Sequence, residues 1–182
     1  STDALFQKMY AMALQVNRKT EGAFDITVGP LVNAWGFGFK QNSFPDSARI
    51  DTLRQFVGMD LLTLTEGKLQ KKYPEITLDA SSIAKGLGVD LVAEYFERKG
   101  LNDYMVEIGG EVSAKGQSSK KRPWRIGIDR PEEDVTARNR RLQMIAGLSQ
   151  GALATSGNYR NFYVHDGKKY AHTINPKTGY PV

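Results

Sequence analysis

The chain has 182 residues, 40% apolar and 25% charged, the balance of a folded protein with room for one large domain or two small ones sharing a core, which excludes wholesale disorder. It has no cysteine, so disulfides, zinc thiolates and thiol nucleophiles are excluded, and His165 and His172 alone cannot build a multi-histidine metal centre. The net charge of +5 suits anionic partners, yet the basic runs Ser119–Arg122 and Arg138–Arg141 sit among polar residues and read as solvated loops rather than a nucleic-acid surface.

In chain order, residues 3–19 predict a helix. Leu5, Phe6, Met9, Tyr10, Ala13, Leu14 and Val16 recur at helical spacing, with Thr2 or Asp3 as cap. Ser1-Thr2-Asp3 carries neither a basic n-region nor an apolar h-region, so a secretory signal is not expected within these residues. The stretch from Phe24 to Phe39 is apolar, aperiodic and punctuated by glycine, which predicts a structured loop or an irregular helix entry. Residues 46–57 predict a second helix, capped by Asp46 or Ser47. Leu61–Leu64 and Gly67–Lys71 predict a hairpin around Thr65-Glu66-Gly67, and Glu75–Leu78 a short strand.

The clearest helix follows, capped by Ser81 or Ser82 and ended by Gly100. Ile83, Leu87, Leu91 and Tyr95 form one row, and Ala84, Gly88, Val92 and Phe96 the next. Strand-like segments come after it at 104–108, 111–115, 124–129, 142–148, 151–155, 159–164 and 169–174. Asp166-Gly167 makes the hairpin turn between the last two. Helices early and in the middle with antiparallel strands late predict an α+β fold, an antiparallel sheet core with packed helices. No run of about 18 apolar residues is present to span a bilayer.

Four segments carry polar chemistry. Glu21-Gly22-Ala23-Phe24-Asp25, leading into Val28-Gly29-Pro30, is either a tight turn or a loop whose N–H groups bind an anion or a planar ring. Leu78-Asp79-Ala80-Ser81-Ser82-Ile83-Ala84-Lys85-Gly86 runs from a strand into a helix N-terminus, where unpaired N–H groups favour an anion. Lys85 in that first turn opposes the helix dipole, so it either meets a phosphate or is simply exposed. Glu107-Ile108-Gly109-Gly110-Glu111 is either a glycine turn between solvated acids or a site with an acid pair. The last segment joins Ser156-Gly157-Asn158-Tyr159-Arg160 to Tyr170-Ala171-His172-Thr173-Ile174-Asn175-Pro176. There His172 precedes a tight turn, as a substrate contact or general base would.

Together these segments, EGAFDITVGPLVNAWGFG, LDASSIAKGLGVDLVAEYF, YMVEIGGEVSAKG and ATSGNYRNFYVHDGKKYAHTINPKTGYPV, resemble the ApbE family, the FAD:protein FMN transferases. Order and spacing match from about Thr20 to the end. The resemblance implies an enzyme that takes FAD as substrate, uses magnesium (Mg2+) on its pyrophosphate, transfers the FMN moiety to a Thr or Ser hydroxyl of a target flavoprotein and releases AMP. It implies FAD contacts at Ala23, Phe24, Asp25, Asp79, Lys85 and Ile174, with Ser156 and Arg160 near the phosphates. It further implies a metal contact through the backbone carbonyl of Ser82, and a catalytic or substrate-orienting role for His172.

Family members are typically lipid-anchored on the periplasmic face of the bacterial inner membrane, so membrane attachment is expected only through an anchor outside this chain. Glu21 and Asn175 stand where the family commonly has Asp. The family also continues past Gly-Tyr-Pro into an Asp and a Thr that complete the metal site, and carries an upstream segment with a lipidated Cys and aromatic flavin contacts. Residues 1–182 are therefore expected to be an ApbE-type domain truncated at both ends that binds magnesium poorly. An FAD pyrophosphatase and a non-catalytic flavin-binding protein are the alternatives.

Overall fold

A computed structural model describes residues 1–38, 44–131, 141–159 and 161–182, which fall into two compact units. Ser1–Ala80 with Asn161–Val182 form the first, and Ser81–Arg160 the second. Helices and small antiparallel sheets make the fold α+β, as the sequence predicts.

The first unit opens with α1 (Ala4–Lys19), whose cap is Asp3: its carboxylate accepts from the Phe6 N–H at 2.7 Å. The helix ends in a Schellman motif, with Gly22 N–H donating to Asn17 O at 2.8 Å and Glu21 N–H to Arg18 O at 3.3 Å. The irregular stretch resolves into a 3-10 turn over Ile26–Val28 that leads into the short helix α2 (Gly29–Ala34). Helix α3 (Ser47–Arg54) is capped by Asp46, which accepts from Arg49 N–H at 2.7 Å.

Strands β1 (Leu62–Thr65) and β2 (Lys68–Lys71) form the predicted hairpin. Sequence reading missed the 3-10 turn at Met59–Leu61 before it. Glu75–Leu78 is not a strand. Ile76 is buried, which produced the apolar signal, but the segment has no ladder. The core is Leu31, Trp35, Ile50, Leu53 and Ile174, with Tyr170 stacked on Trp35 at 5.5 Å.

In the second unit α4 (Ala84–Arg98) packs on a three-stranded sheet of order β3 (Tyr104–Ile108), β4 (Glu111–Lys115) and β7 (Gln150–Leu153). Strands β5 (Trp124–Asp129) and β6 (Leu142–Leu148) pair separately. Two expectations about α4 are corrected. Neither Ser81 nor Ser82 caps it: both lie in a preceding turn, Ile83 takes the cap position, and no side chain bonds there. Its face on the sheet runs through Val89 and Ala93, which lie outside both predicted rows, together with Val92 and Phe96; Leu87 of the neighbouring row is buried as well, and only that row's end, Tyr95, is half-exposed.

Strands β8 (Phe162–His165) and β9 (Lys168–Ala171) close the first unit as the Asp166-Gly167 hairpin. The predicted strand at 169–174 stops at Ala171. Beyond it Ile174 bridges Pro181. Phe39, Arg138–Arg140 and Arg160, all named in the sequence reading, lie outside the described residues.

Candidate functional site

In the first unit the Ala23-Phe24-Asp25 loop is fixed by bonds at every residue. Ala23 N–H donates to Thr20 O at 3.0 Å. Phe24 N–H donates to Thr20 Oγ1 at 3.1 Å, and Phe24 O accepts from Asn17 Nδ2 at 2.7 Å. Asp25 is the hub. Its Oδ1 accepts from Thr27 N–H at 2.8 Å and from the Thr27 hydroxyl at 2.5 Å. Its Oδ2 accepts from Asn17 Nδ2 at 3.2 Å and Met59 N–H at 3.1 Å. Thr27, fully buried, accepts in turn from Gly58 N–H at 2.6 Å. The Asp25 carboxylate therefore ties α1, the 3-10 turn and the Gly58–Met59 entry to β1 together, and a ligand at this loop meets a preset backbone. Asn17 and Thr27 were missed in the sequence. The Asp-x-Thr spacing, which favours a side-chain-closed turn, was the available signal.

Asp79 lies beside this loop, its N–H donating to Ile26 O at 2.7 Å. Gly29 allows the approach: a Cβ there would meet Thr77 Oγ1 at 2.6 Å and Thr77 O at 2.8 Å.

His172 follows β9. Its N–H and its Nδ1 both lie 3.1 Å from Asn161 O. A carbonyl only accepts, so Nδ1 carries the proton and Nε2 presents a lone pair, the tautomer a proton acceptor requires. Ile174 is buried by its side chain in the core. Its bridge to Pro181 is closed by Asn175 N–H to Tyr180 O at 2.9 Å and Val182 N–H to Thr173 O at 3.0 Å. That is the non-hydrogen-bonded pairing, which directs Ile174's own N–H and C=O away from Pro181 and offers backbone rather than side chain to a ligand. Asn175 Oδ1 accepts from Lys177 N–H at 2.9 Å and Thr178 N–H at 3.3 Å, so its amide oxygen closes the turn without a negative charge.

In the second unit Lys85 sits in the first turn of α4. Its Nζ donates to Gly109 O at 3.0 Å and stands 2.7 Å from Glu111 Oε2. Ser82 is exposed, and the first carbonyl drawn into the helix is Ile83's, which leaves Ser82's just outside it. Glu107 and Glu111 are not a catalytic pair. Glu107 pairs with Val112 across the ladder and Glu111 with Ile108, so they face opposite sides of the sheet.

Behind the sheet, away from α4, lies a cavity of about 760 Å³. Ser156 and Gly109–Gly110 line it, as do Glu107, Arg125 and Tyr159. It joins two of the four sequence segments. Arg125 escaped notice because a single charge on a strand has no sequence signature.

A magnesium site is not built by these residues. Magnesium takes six oxygens, usually with one or two carboxylates. Among the described residues no three His, Asp or Glu gather to hold a metal, and Ser82 supplies one carbonyl.

The ApbE family model matches residues 1–182, and the chain belongs to that family. It is 44% identical over 183 residues to a protein of Haemophilus influenzae named FAD:protein FMN transferase, covering 97% of this chain and 52% of that protein. A Vibrio cholerae protein of the same name is 45% identical over 172 residues, covering 93% and 50%. Among solved structures, the flavin transferase ApbE from Vibrio cholerae superposes with a TM-score of 0.84 at 40% identity, covering 99% of this chain and 56% of that one. The ApbE protein of Thermotoga maritima gives 0.85 at 30% identity, covering 100% and 58%. The chain spans about half the length of the curated relatives it matches.

Proposed function

We propose that this chain carries the flavin-handling core of an FAD:protein FMN transferase. The observation that carries the reading is its match, nearly end to end, to proteins of that name at 44–45% identity. In this reading Ala23, Phe24, Asp25, Asp79, Lys85 and Ile174 contact FAD and Ser156 and Arg160 act near its phosphates, as the family resemblance implies. In the reaction the hydroxyl oxygen of a target Thr or Ser bonds to the FMN phosphorus and the bond from that phosphorus to the AMP oxygen breaks. The hydroxyl proton passes to His172 Nε2, and AMP leaves. Magnesium would neutralise the pyrophosphate, but the described residues do not complete a site for it, so the steps here concern the chain's own groups. The reading includes a lipid anchor outside these residues at the periplasmic face of the inner membrane. Among the described residues no helix is long and apolar enough to cross a membrane.

The test is intact mass spectrometry of a threonine-bearing acceptor domain incubated with FAD, magnesium and the protein. Addition of one FMN with release of AMP is the expected outcome, and His172→Ala is expected to slow it by about 10²–10⁴-fold, the usual span for a lost acid–base group. AMP without a modified acceptor would establish a pyrophosphatase instead. FAD binding with no AMP would leave a flavin-binding protein.

A further inference from the structure

Helix α4 carries a charge of the wrong sign at each end. Lys85 stands in its first turn and Glu97 in its last, where the macrodipole disfavours both. Each is answered from β4. Tyr104↔Lys115 and Ile108↔Glu111 are ladder partners, so Lys115 and Glu111 share the face of the sheet on which α4 packs. Lys115 lies 3.0 Å from Glu97 and Glu111 2.7 Å from Lys85.

The two pairs are built differently. Glu97 Oε1 accepts hydrogen bonds from Lys115 Nζ at 3.0 Å and from the Tyr104 hydroxyl at 3.1 Å. Those donors hold the Glu97 carboxyl below its usual value, with Lys115 the larger cause. That pair is satisfied and structural. At the other end the aligned bond of Lys85 goes to Gly109 O, while Glu111 Oε2 is buried beside the ammonium without hydrogen-bond geometry. An ammonium has three N–H donors. Gly109 O takes one and Glu111 attracts another, and the Lys85 side chain is 48% exposed, so a donor remains for an incoming anion.

The turn beneath is shaped for this. Gly109 and Gly110 have φ of +58° and +95°, the mirror-image turn that a two-residue hairpin favours. A Cβ on Gly109 would stand 3.0 Å from Lys85 Cδ. The lysine stem thus lies across a turn that has no side chain to displace it.

We propose that Glu111 is a positioning residue for the FAD phosphates: it holds the Lys85 ammonium against the Gly109–Gly110 turn, so the anion meets a cation already in place. This rests on the transferase reading, in which Lys85 contacts FAD. Two effects of Glu111 oppose each other. Its charge weakens the local attraction for a phosphate. Against that, an unheld lysine at a helix N-terminus is repelled by the dipole and drifts into water, and ordering it would then fall on ligand binding. With the Lys85 end open to water the ion pair contributes little net energy, whereas a fixed donor makes a charge-assisted bond to phosphate. Ordering therefore outweighs charge.

The experiment measures FAD affinity by flavin fluorescence for the wild type, Glu111→Gln, Lys85→Met, the double variant and Glu97→Gln. Folding of each is checked by thermal melting. Expected are a loss of roughly fivefold for Glu111→Gln and no further loss when it is added to Lys85→Met, the mark of two residues acting as one. Glu97→Gln should lower the melting temperature and leave affinity unchanged. Glu111→Asp, which keeps the charge one methylene short, should recover part of the loss. Affinity equal to or tighter than wild type in Glu111→Gln overturns the inference, as does a loss that adds to that of Lys85→Met. If Glu111→Gln does not fold, unchanged affinity in Glu111→Asp overturns it. Failure of the wild type to bind FAD at all overturns the transferase reading itself, and this inference with it.

Discussion

Asp25 shows how much a single side chain can decide. Its two oxygens accept from four donors on three parts of the first unit: Asn17, the backbone and hydroxyl of Thr27, and Met59. The resemblance places Asp25 among the FAD contacts, yet its carboxylate is already fully engaged. Its role in the structure is to fix the loop backbone. Asp25→Asn would test this. The amide keeps one acceptor but turns the other into a donor facing Asn17 Nδ2 and Met59 N–H, stranding both. Each stranded buried donor costs about 1–3 kcal/mol, so a net loss of about 2–3 kcal/mol is expected, a fall of about 5–10 °C in melting temperature. Unchanged melting would mean that the carboxylate does not hold the loop and is spare for a ligand.

Among the elements, the Schellman end of α1 sets the entry to the same loop. Its left-handed position is occupied by Glu21 at φ +51°, with Gly22 following at +79°. An L side chain in that region costs about 1–2 kcal/mol, and glycine would relieve it while adding about 0.4–1 kcal/mol of unfolded-state entropy. Relief is the larger quantity, so Glu21→Gly should stabilise by roughly 0.5–1 kcal/mol and raise melting by about 1–4 °C. A lower melting temperature would show that Glu21 makes interactions that offset its strain. This element was legible in the sequence because Asp3, the helical spacing and Gly22 all act locally. The Glu75–Leu78 segment was not: Ile76 is buried by tertiary packing, and burial imitates a strand whose hydrogen-bonding partners are lacking. The face of α4 slipped for a related reason. Two apolar rows run along the helix, and only the sheet beneath shows that Val89 and Ala93, outside both, join Val92 and Phe96 on the packed face. The polar motifs could be picked out from sequence, but the Lys85–Glu111 pair could not, since 26 positions separate residues that a register brings together.

For the molecule as a whole, the family sets the reaction expected and the ligand chemistry of magnesium sets what these residues can hold. Magnesium needs several hard oxygen ligands at once, and the described residues bring no three acids or histidines together. The contacts proposed for FAD are of another kind: a bonded loop at Ala23–Asp25, the outward backbone of Ile174 and the ammonium of Lys85. None of these depends on a metal for its position. Binding of FAD and dependence on magnesium should therefore separate in this chain. A ligand that binds only the folded state stabilises by RT ln(1 + [L]/Kd), about 2.7 kcal/mol at one hundred times Kd. Saturating FAD should raise the melting temperature by about 5–10 °C on that scale, and a chelator should leave most of the rise intact. Transfer to the acceptor, measured in parallel, should fall on chelation, because the pyrophosphate then keeps its charge through bond breaking. A thermal shift that vanishes with chelator would show instead that FAD enters only with its metal, and that other ligands, beyond those described here, hold both.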